Sequence, residues 1–117
     1  MLINTPISLG ELVDKISILI IKKKNISDSI KLEHVTKELD FLQKTLKEYI
    51  SEDKINKFIQ ELININSKLW NIEDDIRECE RKKLFGQTFI DLARSVYFTN
   101  DERAKVKNDI NKTFGSE

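Results

Sequence analysis

The stretch Lys54 to Lys83 contains no proline or glycine, and its apolar side chains recur at Ile55, Phe58, Leu62, Ile65, Leu69, Ile72, Ile76 and Cys79. The spacing alternates between three and four residues without a miss. Such a stripe is the seam of a helix packed lengthwise on another helix, as in a coiled coil. At about 1.5 Å per residue the helix spans on the order of 45 Å, longer than most globular helices. An elongated helical bundle with this segment as its spine is the fold class it allows.

The flanking segments supply the partners. Pro6 disfavours helical geometry at Thr5, so residues 1–7 are expected to be extended. Ser8-Leu9-Gly10-Glu11 matches a capping box, with Ile7 and Leu12 placed as a hydrophobic staple. The first helix is predicted from about Leu9 to Asn25. Leu9, Leu12, Ile16 and Leu19 form one stripe, widened by Val13 and Ile20, while Ile18 and Ile21 form a second. A helix apolar on two sides is buried between neighbours, and Asp14 on the second stripe then needs a cationic partner or an opening to water.

Ser27 or Asp28 caps a second helix reaching about Ile50, with a seam of Leu32, Val35, Leu39, Leu42, Leu46 and Tyr49. The short polar turn Ser51-Glu52-Asp53 predicts an antiparallel hairpin of this helix with the spine. The second helix is shorter, so the spine beyond Ile72 overhangs, and its seam needs cover from the first helix, the C-terminal segment or a second subunit. Gly86 interrupts the spine. A fourth helix follows, with Phe85, Phe89, Leu92 and Val96 on one face and Ile90, Ala93 and Tyr97 beside it. Thr99-Asn100-Asp101-Glu102 matches another capping box and predicts a fifth, short helix marked by Val106, Ile110 and Phe114, with Gly115 as its stop. The expected fold is all-α: a single domain over residues 1–117, a helical bundle of four to five helices built on a long antiparallel helical hairpin.

Composition narrows the function classes. The chain balances 20 basic against 20 acidic side chains, with 39% hydrophobic and 34% charged residues. That balance offers no footprint for nucleic acid or an anionic membrane. The basic run Lys22-Lys23-Lys24 ends a helix, where cations meet the negative end of the dipole. The apolar run Ile18 to Ile21 is too short to span a bilayer, so no membrane insertion is expected. No basic region precedes an apolar run at the N-terminus, so no signal peptide is expected. A single cysteine fits a reducing compartment and excludes an internal disulfide. Cys79 lies on the seam, as a small hydrophobe, and the lone His34 lacks the companions of a metal site.

Three constellations carry chemistry. Glu73 and Asp74 precede Arg77 and Glu78, and Glu11 and Asp14 lie one turn apart. Carboxylates converging from two helices can hold Mg²⁺ against a phosphate, as in all-helical nucleotide pyrophosphohydrolases. Those enzymes place a doubled-acid motif before an E-x-x-D; here the order is reversed, the doubled motif being Asp74-Asp75-x-x-Glu78, and a solvated face of i,i+4 ion pairs accounts better for most of these residues. Arg94, Tyr97, Asn100 and Arg103 form a second set, suited to a carboxylate or phosphate, unless Arg94 pairs with Asp14 or a spine acid to hold the C-terminal segment down. Ile63 and Trp70, off the main seam, together with Ile76 and Cys79 on the overhang, form a candidate interface. No catalytic residue, metal ligand set or cofactor motif is found.

The strings PISLGELVDKISILIIKK, LWNIEDDIRECE and FIDLARSVYFTNDERAKVKNDIN resemble, in order and over almost the whole chain, an uncharacterised bacterial family, a domain of unknown function. The resemblance implies a cytoplasmic protein met beside or fused to glycosyltransferases and other surface-polysaccharide genes, and no catalytic residue comes with it. It also implies a charged, Tyr-containing tail beyond Gly115 to Glu117. Two function classes follow. The first is a non-catalytic module that forms a homo-oligomer or docks on a partner enzyme. The alternative is a small helical enzyme or binding domain for a phosphate-bearing or sugar-nucleotide ligand.

Overall fold

The computed structural model describes residues 1–117. It is all-helical: α1 (Leu9–Asn25), α2 (Ser29–Lys47), α3 (Glu52–Arg81) and α4 (Gln87–Phe114). The caps follow local chemistry. The Ser8 hydroxyl accepts from the Glu11 N–H at 3.2 Å, and the Asp28 carboxylate accepts from the Ile30 and Lys31 N–H groups, each at 3.0 Å. Gly115 ends α4 in the left-handed conformation at φ 67°, where an L side chain is strained.

A long antiparallel helical hairpin is present, but its arms are α3 and α4 rather than α2 and α3. Phe58 near the start of α3 meets Phe114 at the end of α4 edge-to-face, with ring centroids 5.9 Å apart. At the other end Cys79 shares a surface hollow with Leu84, Thr88 and Leu92. α2 and α3, although joined by a short turn, are not among the closely packed pairs; α2 lies along α1 instead. α1 alone packs against all three other helices. Its two apolar stripes explain this, because a helix with one stripe satisfies one neighbour and a helix with two can sit among several. Leu12, Val13, Ile16 and Leu19 of α1 join Leu39 and Leu46 of α2, Ile55 and Leu62 of α3 and Ile110 of α4 in one core. Tyr49, the last position of the α2 seam, is 73% exposed.

The fifth helix expected at Thr99 is absent, because α4 runs unbroken from Gln87 to Phe114. Thr99 is buried in mid-helix instead of taking the extended geometry of an N-cap. Leu92, Val96, Thr99, Arg103, Val106 and Ile110 are all buried or half-buried, in alternating steps of four and three residues. Thr99 and Arg103 are thus polar members of a continuous seam, and only their polarity disguised them as a boundary.

Candidate functional site

Gly10, Glu11 and Asp14 in the first two turns of α1 meet α4, and the acids and bases there match in antiparallel register. Glu11 pairs with Lys107 and Asp14 with Arg103. Arg103 forks onto the carboxylate: Nε donates to Oδ1 at 2.9 Å, and Nη2 donates to Oδ2. Asn66 of α3 donates from Nδ2 to the same Oδ1 at 2.9 Å and to Ser17 Oγ at 2.8 Å. The Ser17 hydroxyl donates to the Asp14 carbonyl at 2.6 Å. Asp14 is only 2% exposed, yet no buried side-chain polar atom lacks a partner. The carboxylate bonds of Asp14 raise the Arg103 guanidinium above its ordinary value; burial opposes this, and the charges of Asp14, Glu11 and Glu73 add to it. Such a bidentate, charge-assisted pair fixes geometry as well as energy.

The N-terminus of α1 is sealed by the other end of the chain. The Leu9 N–H donates to Ser116 Oγ at 2.8 Å, and the Gly10 N–H donates to Asn111 Oδ1 at 2.7 Å. With Ser8 on Glu11, three amides that a helix start leaves orphaned are satisfied. A Cβ at Gly10 would stand 2.5 Å from the Lys107 carbonyl oxygen, so glycine permits α1 and α4 to approach this closely. The Glu11 side chain serves Lys107 and completes only half of the expected capping box.

The candidate residues fall into separate places. Glu11, Asp14 and Arg103 come together, with Lys107, Ser17 and Asn66 as members that sequence reasoning missed. A signal existed for Lys107: acids three apart on α1 face bases four apart, Arg103 and Lys107, on α4. Asn66 lies one position off the spine seam and offered no signal. Arg94 does not pair with Asp14 or with a spine acid; its guanidinium lies 5.8 Å from the Phe98 ring centroid. Arg77 donates to Asp74 at 3.0 Å and stands 3.8 Å from Glu73, all on the exposed side of α3. Glu78 pairs with Arg81 and Lys82, and the Arg81 bond leads in holding its carboxyl below the ordinary range. No group of three or more His, Cys, Asp or Glu is gathered for a metal ion. Cys79 is buried and Ile76 half-buried, so the chain's own α4 supplies the cover that the overhang required. Ile63 and Trp70, both half-buried, line a shallow groove with Ile20, Ile21 and Lys24 of α1.

The outer face of α4 is different in kind. Ile90, Arg94, Tyr97, Asn100 and Asp101 are exposed, as is Phe98. Ile90, Tyr97 and Phe98 are 47%, 66% and 58% exposed. At about 100° per residue this stripe is centred opposite Leu92, Val96, Thr99, Arg103, Val106 and Ile110. No ion pair of the fold engages Arg94, Asp101 or Lys105. At the hairpin tip Leu84 and Phe85 are exposed, and Phe85 meets Phe89 edge-to-face at 5.3 Å.

No helix is long and apolar enough to cross a membrane. No curated protein and no solved structure matches the chain. A family model does match, over residues 3–116, and the chain therefore belongs to the family of unknown function DUF6165.

Proposed function

We propose that this protein is a non-catalytic helical interaction module that works through the outer face of α4. The observation that supports this reading is the contrast within one helix. The inward charges are matched and closed, whereas Ile90, Tyr97 and Phe98 stand exposed among charges that form no ion pair. Exposed aromatics beside an arginine are the residue types that anchor contact sites between proteins. A role in surface-polysaccharide assembly, docked on an enzyme of that process, is the setting the resemblance suggests. A cytoplasmic location belongs to the same proposal.

The alternative, a domain for a phosphate-bearing or sugar-nucleotide ligand, draws less support. Arg103, Lys107 and Arg77 are each held by carboxylates, and a ligand phosphate would have to displace them. A photo-crosslinking residue placed at Phe98 in producing cells should give a discrete protein adduct. The same residue at Lys31, exposed on α2, should give none. Equal background at both positions overturns the proposal. Thermal stabilisation by a sugar nucleotide with Mg²⁺ would instead favour the alternative, since a ligand bound only by the native state raises its stability.

A further inference from the structure

We infer that the occupant of the α4 outer face is a second copy of this chain, laid antiparallel across a two-fold axis between Tyr97 and Phe98. The inference rests on the reading of that face as the contact surface and adds the partner and its register. Its basis is the order of charges along the stripe: Asp91, Arg94, then Tyr97 and Phe98, then Asp101 with Glu102 at its edge, and Lys105. Read from the centre outward, one direction meets plus then minus and the other meets minus then plus. A stripe with that order is complementary to itself when reversed, and a two-fold interface needs such self-complementarity.

Helix geometry makes the match specific. A two-fold axis perpendicular to a helix and midway between residues 97 and 98 sets each position opposite the one equally far beyond the axis. Tyr97 then lies on the partner's Phe98, and Arg94 lies on the partner's Asp101. Ile90 meets the methylene stem of the partner's Lys105 beside Asp91, and Gln87 meets the partner's Asn108. Each contact occurs twice. None of these positions takes part in the internal seam, so pairing disturbs no contact of the core. Arg94 already rests 5.8 Å from the Phe98 ring centroid, which limits the side-chain freedom lost on docking. The pairing places like charges apart, whereas parallel copies in register would stack Arg94 on Arg94 and Asp101 on Asp101.

The test is charge reversal with rescue on the full chain, read by sedimentation velocity across a concentration series. Wild type should show a reversible monomer–dimer equilibrium. Arg94→Glu alone and Asp101→Arg alone should each weaken dimerisation by about tenfold or more, because two attractive pairs become repulsive. The double variant R94E with D101R should return to within about threefold of wild type, since the pairs are restored with signs exchanged. Both sites are exposed, so circular dichroism should be unchanged throughout. A chain that stays monomeric at hundreds of micromolar overturns the inference. So does a dimer indifferent to both reversals, or one that the double variant fails to restore. The Phe98 crosslink separates the two levels: an adduct with a different protein removes the second copy but keeps α4 as the contact face, whereas no specific adduct removes both.

Discussion

The inner and outer faces of α4 carry the same kinds of side chain under opposite conditions. Inside, Arg103 and Lys107 meet Asp14 and Glu11, and the guanidinium is forked onto a carboxylate that is almost wholly out of water. Outside, Arg94, Asp101 and Lys105 form no ion pair with their own chain, and aromatic rings stand exposed between them. The difference teaches that the charge of a residue does not reveal its use. What stands opposite does, because an ion pair removed from water holds geometry only when every lone pair and proton is satisfied.

The largest expected effect lies on the inner face. Asp14→Ala strips Arg103 of its acceptor and leaves Asn66 half-used, so urea unfolding should show a loss of about 3 kcal/mol. A loss below about 1 kcal/mol would place this pair with ordinary surface pairs and break the contrast between the faces. The double replacement Asp14→Leu with Arg103→Met should cost much less than Asp14→Ala alone, because no uncompensated charge remains. Gly10→Ala comes next. Its new methyl would meet the Lys107 backbone oxygen, so α1 and α4 must separate, at a cost of about 1–3 kcal/mol, visible as a lower Tm. Asn111→Ala leaves the Gly10 N–H without its acceptor and should cost about 1 kcal/mol. On the outer face, Tyr97→Ser should change monomer stability by no more than about 0.5 kcal/mol while abolishing self-association. A large loss of stability there would mean that the ring serves the fold.

The smallest effect is electrostatic and local. The carboxyl of Glu78 is lowered first by its bond to Arg81. A lowered acid stabilises the fold above the ordinary carboxylate range, and that contribution fades as pH falls through its lowered value. Since the Glu78 side chain is 46% exposed and its partners reach into solvent, the unfolding free energy should hardly register it. An NMR titration of its carboxyl carbon should move upward in Arg81→Ala, and an unchanged titration would remove Arg81 as the cause. Arg103 is raised instead, so its contribution is present throughout the neutral range and fades only as pH climbs above the ordinary arginine value.

Local chemistry made much of this fold legible. The unbroken stripe from Ile55 to Cys79 marked α3, Ser8 and Asp28 marked helix starts, and Gly115 marked the last stop. Thr99 misled because its capping-box pattern is local, whereas its burial depends on a facing helix. The pairing of helices also escaped. Turn length suggested that α2 would lie on α3, but both turn sideways onto α1, whose doubled apolar surface offers more area than a single α2–α3 seam. Within the site, Glu11, Asp14 and Arg103 were recognisable as polar residues in revealing positions, while Asn66 was not, because an amide beside a seam looks the same buried or wet.

The sequence alone determined the helix starts after Ser8 and Asp28 and the stop at Gly115, which residues carry the apolar seam of α3, and that the chain is an all-α bundle with a long antiparallel hairpin. The tertiary structure decided which helices form that hairpin, which arginine meets Asp14, and which face of α4 is left uncovered. The reason is physical. Periodicity is a property of one segment and shows that a face must be covered. The identity of the cover depends on contacts between residues far apart in the chain, such as Gly10 with Lys107 and Asp14 with Arg103, which no single segment encodes.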